Sequence, residues 1–138
     1  MPRRDRYHDV VRNALIKEGW TIVHDPMKLG QKVRLYVDLG ADRLIIAERR
    51  TERIAVEIKV FGSISPITEL QKSVGQYLLY RSLLKKQEPE RQIFLALSQD
   101  AYSPLFSQSE IADYIAELDV NILVFDPEAE EISQWLKS

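Results

Sequence analysis

The stretch that most constrains the fold of this chain runs from residue 42 to residue 59. Two apolar segments rich in β-branched residues, 42–48 and 53–59, flank the four polar residues 49–52. Segments of this kind separated by a short polar connection are typical of paired antiparallel strands. The sequence therefore predicts a β-hairpin here, and the neighbouring elements are expected to pack around it.

The predicted register of this hairpin groups its charged residues. With the turn centred in the polar segment, Leu44 lies opposite Glu57 and Asp42 lies opposite Lys59. Because side chains along a strand alternate between the two faces of a sheet, these four residues share one face. Two carboxylates and an ammonium would then meet on strands that are otherwise apolar. Charges on one strand face also fit an ordinary solvated surface, so the pattern alone leaves both interpretations open.

A second acidic residue competes for the same place. Residues 33–39 form another β-rich segment, in which Asp38 has the same parity as Asp42. Gly40 separates them and suggests a bulge or bend in the strand. Whether Asp38 or Asp42 approaches Glu57 depends on that bulge, so both remain candidates.

The rest of the chain alternates helical and strand patterns. Asp5 and Gly19 are suited to begin and end a first helix, and Ser65-Pro66 is a typical start of a long one. The predicted elements are a helix over 5–19, strands over 20–23 and 33–39, the hairpin, a helix from 66 to 84, a strand over 92–97, a helix capped by Ser109 and running to Leu118, and strands over 120–125 and 131–136.

This order predicts an α/β fold. The strand that follows the long helix should lie parallel to the hairpin, through a right-handed crossover. The result is a mixed sheet flanked by helices. A chain of 138 residues is long enough for one domain with a proper core, so we expect a single domain over 1–138.

Composition narrows the functional classes. The chain has no cysteine, which excludes disulfides and thiolate metal sites and fits a reducing cytoplasm. The sequence shows no signal peptide and no membrane span, so we expect a cytoplasmic protein without a membrane partner. Residues 1–60 carry 13 Lys and Arg against 9 Asp and Glu, and residues 61–138 carry 6 against 12. The basic half could meet a phosphate backbone, although ordinary charge scatter explains it equally well.

The charged face of the hairpin fits metal-dependent phosphodiester hydrolysis. Mg²⁺ is usually held by one or two carboxylates together with water and phosphate oxygens. Glu57, with Asp38 or Asp42, would hold Mg²⁺, for which Mn²⁺ can substitute. Lys59 would orient the attacking water or stabilise the developing charge, and Gln76 on the long helix could hold the site in place. His8, at the edge of the first helix, is more often a structural residue in such a position.

The same residues resemble a known superfamily. An aspartate followed by Glu57-x-Lys59 on a hairpin flanked by helices resembles the PD-(D/E)xK nuclease-like superfamily. Gln76-x-x-x-Tyr80 is similar to an element of its RecB-like members. The resemblance implies catalytic roles for Glu57, Lys59 and Gln76. It places His8 or Asp9 where many members carry a glutamate, which makes His8 a further catalytic candidate.

The whole chain resembles one family more closely, the XisH family of fdxN element excision controlling factors, found mainly in cyanobacteria. The stretches that carry this resemblance are Tyr7-His8-Asp9, 14–20, 38–41, 54–59, 75–77 and 124–126. The resemblance implies a restriction-endonuclease-like αβββαβ core with an extra C-terminal helix and β-hairpin. It also implies a role in programmed, site-specific excision of a DNA element, together with a small XisI-type partner and a separate recombinase.

Three functional interpretations follow. The first is a Mg²⁺-dependent DNA endonuclease or nickase that uses Asp38 or Asp42, Glu57 and Lys59. The second is a non-catalytic controlling factor that keeps the fold and binds DNA, the XisI-type partner or a recombinase, with a homodimer also open. The third is an α/β domain whose polar hairpin face is merely solvated. The intact acidic and basic set favours the first, and the family resemblance favours the second.

Overall fold

The computed structural model describes residues 3–24, 44–61 and 65–137. No helix in these ranges is long and apolar enough to cross a membrane. The predicted strand over 33–39, with Asp38, and the residue Asp42 lie outside the described residues. The elements are α1 (Arg3–Lys17), β1 (Thr21–His24), β2 (Leu44–Arg49), β3 (Glu52–Ile58), α2 (Pro66–Gln87), β4 (Gln92–Ser98), α3 (Gln99–Phe106), α4 (Ser109–Glu117), β5 (Ile122–Asp126) and β6 (Glu131–Leu136).

The six described strands form one mixed sheet in the order β1-β2-β3-β4-β5-β6. Strand β2 is antiparallel to both β1 and β3, the strands β3, β4 and β5 are parallel, and β6 returns antiparallel to β5. The predicted parallel pairing across the long helix is confirmed by β3 and β4. The predicted mixed sheet with flanking helices is also confirmed.

The hairpin has the predicted register. Leu44 pairs with Glu57, and Arg49 pairs with Glu52 on either side of the turn. The alternation of apolar residues decides this register, because a shift by one residue would turn every buried side chain towards the opposite face.

The helix ends follow local sequence signals. Gly19 has φ +89° and ends α1, where the Trp20 N–H donates to Leu15 O and the Gly19 N–H to Ile16 O. This is a Schellman arrangement, and glycine adopts its left-handed conformation without a Cβ penalty. Ser65 accepts a hydrogen bond from the Thr68 N–H at the start of α2, as predicted.

The region between β4 and β5 differs from the prediction of one helix capped by Ser109. Two short helices, α3 and α4, lie there, and Ser109 is the first residue of α4 rather than its cap. Gln108 occupies the cap position and makes no side-chain capping bond, whereas Ser98 caps α3. Pro104 lies inside α3, where proline ordinarily disfavours a helix. Buried Leu105 and the Ser98 cap stabilise the helix instead.

The sheet separates two apolar layers. Val10, Val11 and Leu15 of α1 pack with Trp20 and the even-numbered residues of β3 and β4. On the other side, α2 packs on the odd-numbered residues of β4 and on Ala55. Glu57 in β3 and Lys59 just beyond it have the same parity as Ala55, so both belong to the face that α2 covers.

Candidate functional site

The end of β3 positions a charged pair in the middle of the sheet. β3 lies between β2 and β4, and its β-branched residues Ile54, Val56 and Ile58 are buried on the α1 face. The alternation then forces Glu57 towards α2, where only 2% of its surface is exposed. The Lys59 N–H donates to Ala96 O at 3.1 Å, which fixes the lysine backbone just beyond the strand.

The side chains of this pair lie close together. Glu57 Oε2 is 3.7 Å from Lys59 Nζ, and the two side chains are 3% and 15% exposed. This separation is longer than a charge-assisted hydrogen bond, so the contact is an ion pair in a poorly solvated place. A buried carboxylate is costly unless a cation compensates its charge, and Lys59 supplies that cation.

Helix α2 provides the wall opposite this pair. Lys59 Nζ donates a hydrogen bond to Gln76 Oε1, as expected for a glutamine that holds the site. Ser73 and Tyr80, one turn to either side of Gln76, are buried. The Gln76-x-x-x-Tyr80 element therefore presents its glutamine to Lys59 and buries its tyrosine.

Tyr77 links α2 to the neighbouring strands. Its hydroxyl donates to Ile93 O at 3.2 Å and accepts from the Asn121 N–H at 3.0 Å. Burial raises the pKa of Tyr77 above its usual 10.0, and the Asn121 bond and the charge of Arg81 partly oppose that rise. The negative charge of Glu57 adds to the rise in this pKa.

The other predicted site residues are not gathered around this pair in the described part of the chain. Asp38 and Asp42 lie outside the described residues. His8 belongs to α1, which packs on the opposite face of the sheet, and its catalytic role stays a prediction. The described ranges contain no cluster of three or more His, Cys, Asp or Glu side chains that could hold a metal ion.

The donor set fits part of a Mg²⁺ site. Glu57 offers a carboxylate with hard oxygen atoms, and Lys59 offers a cation for a phosphate or a water. One carboxylate can hold Mg²⁺ only together with substrate oxygens or a second acidic residue. Asp38 and Asp42 are the candidates for that second residue.

Sequence reasoning missed two features of this face. They are the hydrogen bonds of the Tyr77 hydroxyl and those of the Arg81 guanidinium. Arg81 Nη1 donates to Leu118 O and Asp119 O, and its guanidinium lies 5.5 Å from the centre of the Tyr77 ring. The only sequence signal was the excess of cations over acids in α2, which carries Lys72, Arg81, Lys85 and Lys86 against Glu69.

A comparison with protein-family models identifies the family of the chain. Residues 1–133 match the model of the XisH protein family. The chain belongs to the XisH family. This confirms the resemblance of the sequence, whereas the wider nuclease-like superfamily stays a prediction.

Two crystal structures of XisH-family relatives have the same fold. An XisH family protein from Nostoc punctiforme is 37% identical, with a TM-score of 0.81 over 96% of this chain and 100% of that one. An fdxN element excision controlling factor protein from Anabaena variabilis is also 37% identical, with a TM-score of 0.81 over 96% and 99% of the two chains. No curated protein matches this XisH-family chain.

Proposed function

We propose that this XisH-family protein is a controlling factor for the site-specific excision of a DNA element, and that it acts on DNA through a Mg²⁺-dependent phosphodiester-hydrolysing site. The name of the Anabaena variabilis relative, an fdxN element excision controlling factor, supports the first part. The geometry around Glu57 and Lys59 supports the second.

The observation that carries the proposal is the Glu57–Lys59 pair inside an apolar layer. The carboxylate is 2% exposed, and its cation is held by Gln76 from another element. A solvated hairpin face would leave these groups in water. A purely structural pair is also a poor explanation, because well-packed apolar residues usually stabilise a core as well as a buried ion pair does. Chemistry that needs a fixed carboxylate and a fixed cation explains both positions.

The wider assignment to the PD-(D/E)xK nuclease-like superfamily follows from the same residues. An acidic residue before a hairpin, then Glu57-x-Lys59 on its second strand, then Gln76 on the following helix is the order of that superfamily. The mixed sheet with a parallel crossover from β3 to β4 supports this assignment. Either Asp38 or Asp42 would complete the carboxylate pair.

Each residue has a defined task in this proposal. Glu57 and one aspartate hold Mg²⁺, which when bound neutralises charge on the phosphodiester and eases deprotonation of a water. The Lys59 ammonium orients that water or stabilises the charge that develops on the phosphate. Gln76 keeps Lys59 aimed at the site through its hydrogen bond. His8 is a further candidate, at the position where related nucleases carry an acidic residue.

A second candidate function is a controlling factor that does not cleave DNA. The word "controlling" in the name of the Anabaena variabilis relative favours it. In this version the protein binds an XisI-type partner, a recombinase or DNA, as a monomer or a homodimer, and another enzyme breaks the strands. The two candidates differ in whether Glu57 binds metal and whether DNA is nicked.

The deciding experiment measures both properties on matched variants. Mg²⁺ and Mn²⁺ binding is measured by calorimetry, and nicking of supercoiled plasmid by gel electrophoresis, for wild type and Glu57→Gln. Glu52→Gln is the control, because Glu52 lies on the same strand but is exposed. Loss of metal binding and nicking in Glu57→Gln alone is the expected result. Metal binding that is absent, or indifferent to Glu57, would overturn the catalytic site and leave the non-cleaving candidate.

The same assay identifies the missing ligand. Asp38→Asn and Asp42→Asn are compared singly, and only one of them should weaken Mg²⁺ binding as strongly as Glu57→Gln. Equal and small effects of both would contradict a two-carboxylate site.

A further inference from the structure

A groove lies beside the C-terminal half of α2, where β4 and β5 begin. It has a volume of about 450 Å³. Three of the described residues that line it are cations and none carries a carboxylate. The three cations are Arg81, Lys85 and Arg91.

The three cations are not equivalent. Arg91 is buried, and its Nη2 pairs with Glu48 Oε2 at 3.1 Å and Glu88 Oε1 at 3.3 Å. The two carboxylates compensate the charge of Arg91, so this residue lines the groove without attracting an anion. Arg81 and Lys85 have no ion pair with a carboxylate in residues 3–24, 44–61 and 65–137. These two cations give the groove its positive charge, which suits an anionic ligand.

The positions on α2 relate this groove to the Glu57–Lys59 pair. Successive residues of a helix are turned by about 100°, so Gln76 lies on one flank of the exposed crest at Gly75. Arg81 and Lys85 lie about 120° and 80° away from Gly75 in the opposite direction. A molecule that contacts both flanks must therefore cross the exposed side of the helix, on which Gly75, Leu79 and Ser82 lie.

Gly75 has no internal role that the described structure explains. It is exposed, and a Cβ built on it would meet nothing within 4 Å. Glycine inside a helix costs about 1 kcal/mol relative to alanine. Alanine would meet no described neighbour there, so the part of the chain that the structure describes gives no packing reason for glycine on this crest.

We propose that the groove binds a phosphate of the DNA backbone, and that the strand crosses α2 at Gly75 to reach the Glu57–Lys59 site. This inference rests on the proposed function and adds a second contact to it. Lys85 lies nine residues after Gln76, about 13.5 Å along the helix. A strand that joins the two must span more than this axial distance, because Gln76 and Lys85 lie about 180° apart around the helix. The two cations, with no carboxylate among the described lining residues, fit a phosphate.

The test measures DNA binding without a divalent metal, so that it does not depend on the metal site. A short fluorescein-labelled DNA duplex is titrated with wild type, Lys85→Gln, Lys85→Arg and Gly75→Ala at several salt concentrations, with fluorescence anisotropy as the readout. Lys137→Gln is the matched control, because Lys137 is an exposed lysine beyond β6. Thermal unfolding of each variant is recorded in parallel.

The variants should change DNA binding and stability differently. Lys85→Gln should make the negative slope of log affinity against log salt shallower by about 0.9, the value for one phosphate contact. Lys85→Arg keeps the charge and should restore the wild-type slope. Gly75→Ala should unfold at a higher temperature and yet bind DNA several-fold more weakly. Lys137→Gln should leave the slope unchanged.

Two results would overturn the inference. One is wild-type DNA binding whose slope and affinity are unchanged by Lys85→Gln and Gly75→Ala. The other is no DNA binding by the wild type. Loss of metal binding in Glu57→Gln is measured separately, so the groove and the proposed metal site can fail independently.

Discussion

The two faces of the sheet differ in what they bury. Under α1, aromatic rings interlock: Phe94 and Trp135 meet edge to face with centres 5.0 Å apart, and Trp20 lies 5.8 Å from Trp135. Under α2, the same sheet buries the carboxylate of Glu57 and the hydroxyl of Tyr77. One face is packed mainly by apolar contacts, and the other fixes polar groups among apolar ones.

This difference indicates a division of labour. Apolar packing gains about 25 cal/mol for each Å² removed from water, whereas a buried charge must first lose its hydration. The α1 face therefore supplies stability without this cost, whereas the α2 face, which also buries an apolar cluster, gives up part of its potential stability to hold Glu57, Lys59 and Gln76 in place. Substitutions on the two faces should separate stability from metal and DNA binding.

The largest loss of stability is expected on the α1 face. Phe94 is fully buried there and packs against Trp135. Phe94→Ala should lower the free energy of unfolding by about 3–5 kcal/mol, because it removes the ring and leaves a cavity. Denaturant unfolding followed by tryptophan fluorescence measures this loss. A cost below about 1 kcal/mol would contradict the idea that this face carries the stability.

An intermediate loss is expected at Tyr77 on the α2 face. Tyr77→Phe removes the hydroxyl that joins Ile93 O and the Asn121 N–H, and it should cost about 1–3 kcal/mol. Denaturant unfolding measures the cost. Metal binding at Glu57 should be unchanged, because the hydroxyl bonds to strands and not to the pair. A loss of metal binding as large as the loss in Glu57→Gln would contradict this separation.

The same residue should give a pH signature. Burial raises the pKa of Tyr77 above 10.0 in the folded protein, so the unfolded chain loses this proton first as the pH rises. The unfolded state then binds fewer protons than the native state, and stability falls with rising pH above about 10. When the pH is raised from neutral to above about 10, Tyr77→Phe should lose less of its free energy of unfolding than the wild type does. Parallel curves for the two proteins would contradict the assignment.

The fold could be predicted where local signals and alternation agree. The polar turn and the apolar alternation fix Leu44 opposite Glu57, and Ser65 and Gly19 mark helix ends. The α3 helix could not be predicted, because a helix of eight residues forms only through its packing and its cap. The distinction is between structure encoded within one segment and structure that depends on contacts from elsewhere.

The candidate site shows the same limit. Period-two alternation brings Glu57 and Lys59 to one face, and the spacing of α2 brings Gln76 to Lys59. The Tyr77 hydroxyl could not be assigned, because its partners lie 16 and 44 residues away along the chain. The order of the strands in the sheet brings these partners to Tyr77, and no single segment of the sequence determines that order.

The smallest effect on stability is expected from removing the whole charged pair. Glu57→Leu combined with Lys59→Leu replaces two poorly solvated charges by apolar side chains in an apolar layer. Such replacements are often neutral or stabilising, so the free energy of unfolding should not fall. Lys59→Leu alone should cost more than the double substitution, because it removes the ammonium 3.7 Å from a carboxylate that stays buried. Denaturant unfolding of the single and double variants measures this coupling, and Mg²⁺ calorimetry should show that the double variant has lost its metal. A double variant that is markedly less stable than wild type, with metal binding intact, would mean that the α2 face uses its charges for the fold as the α1 face uses its rings.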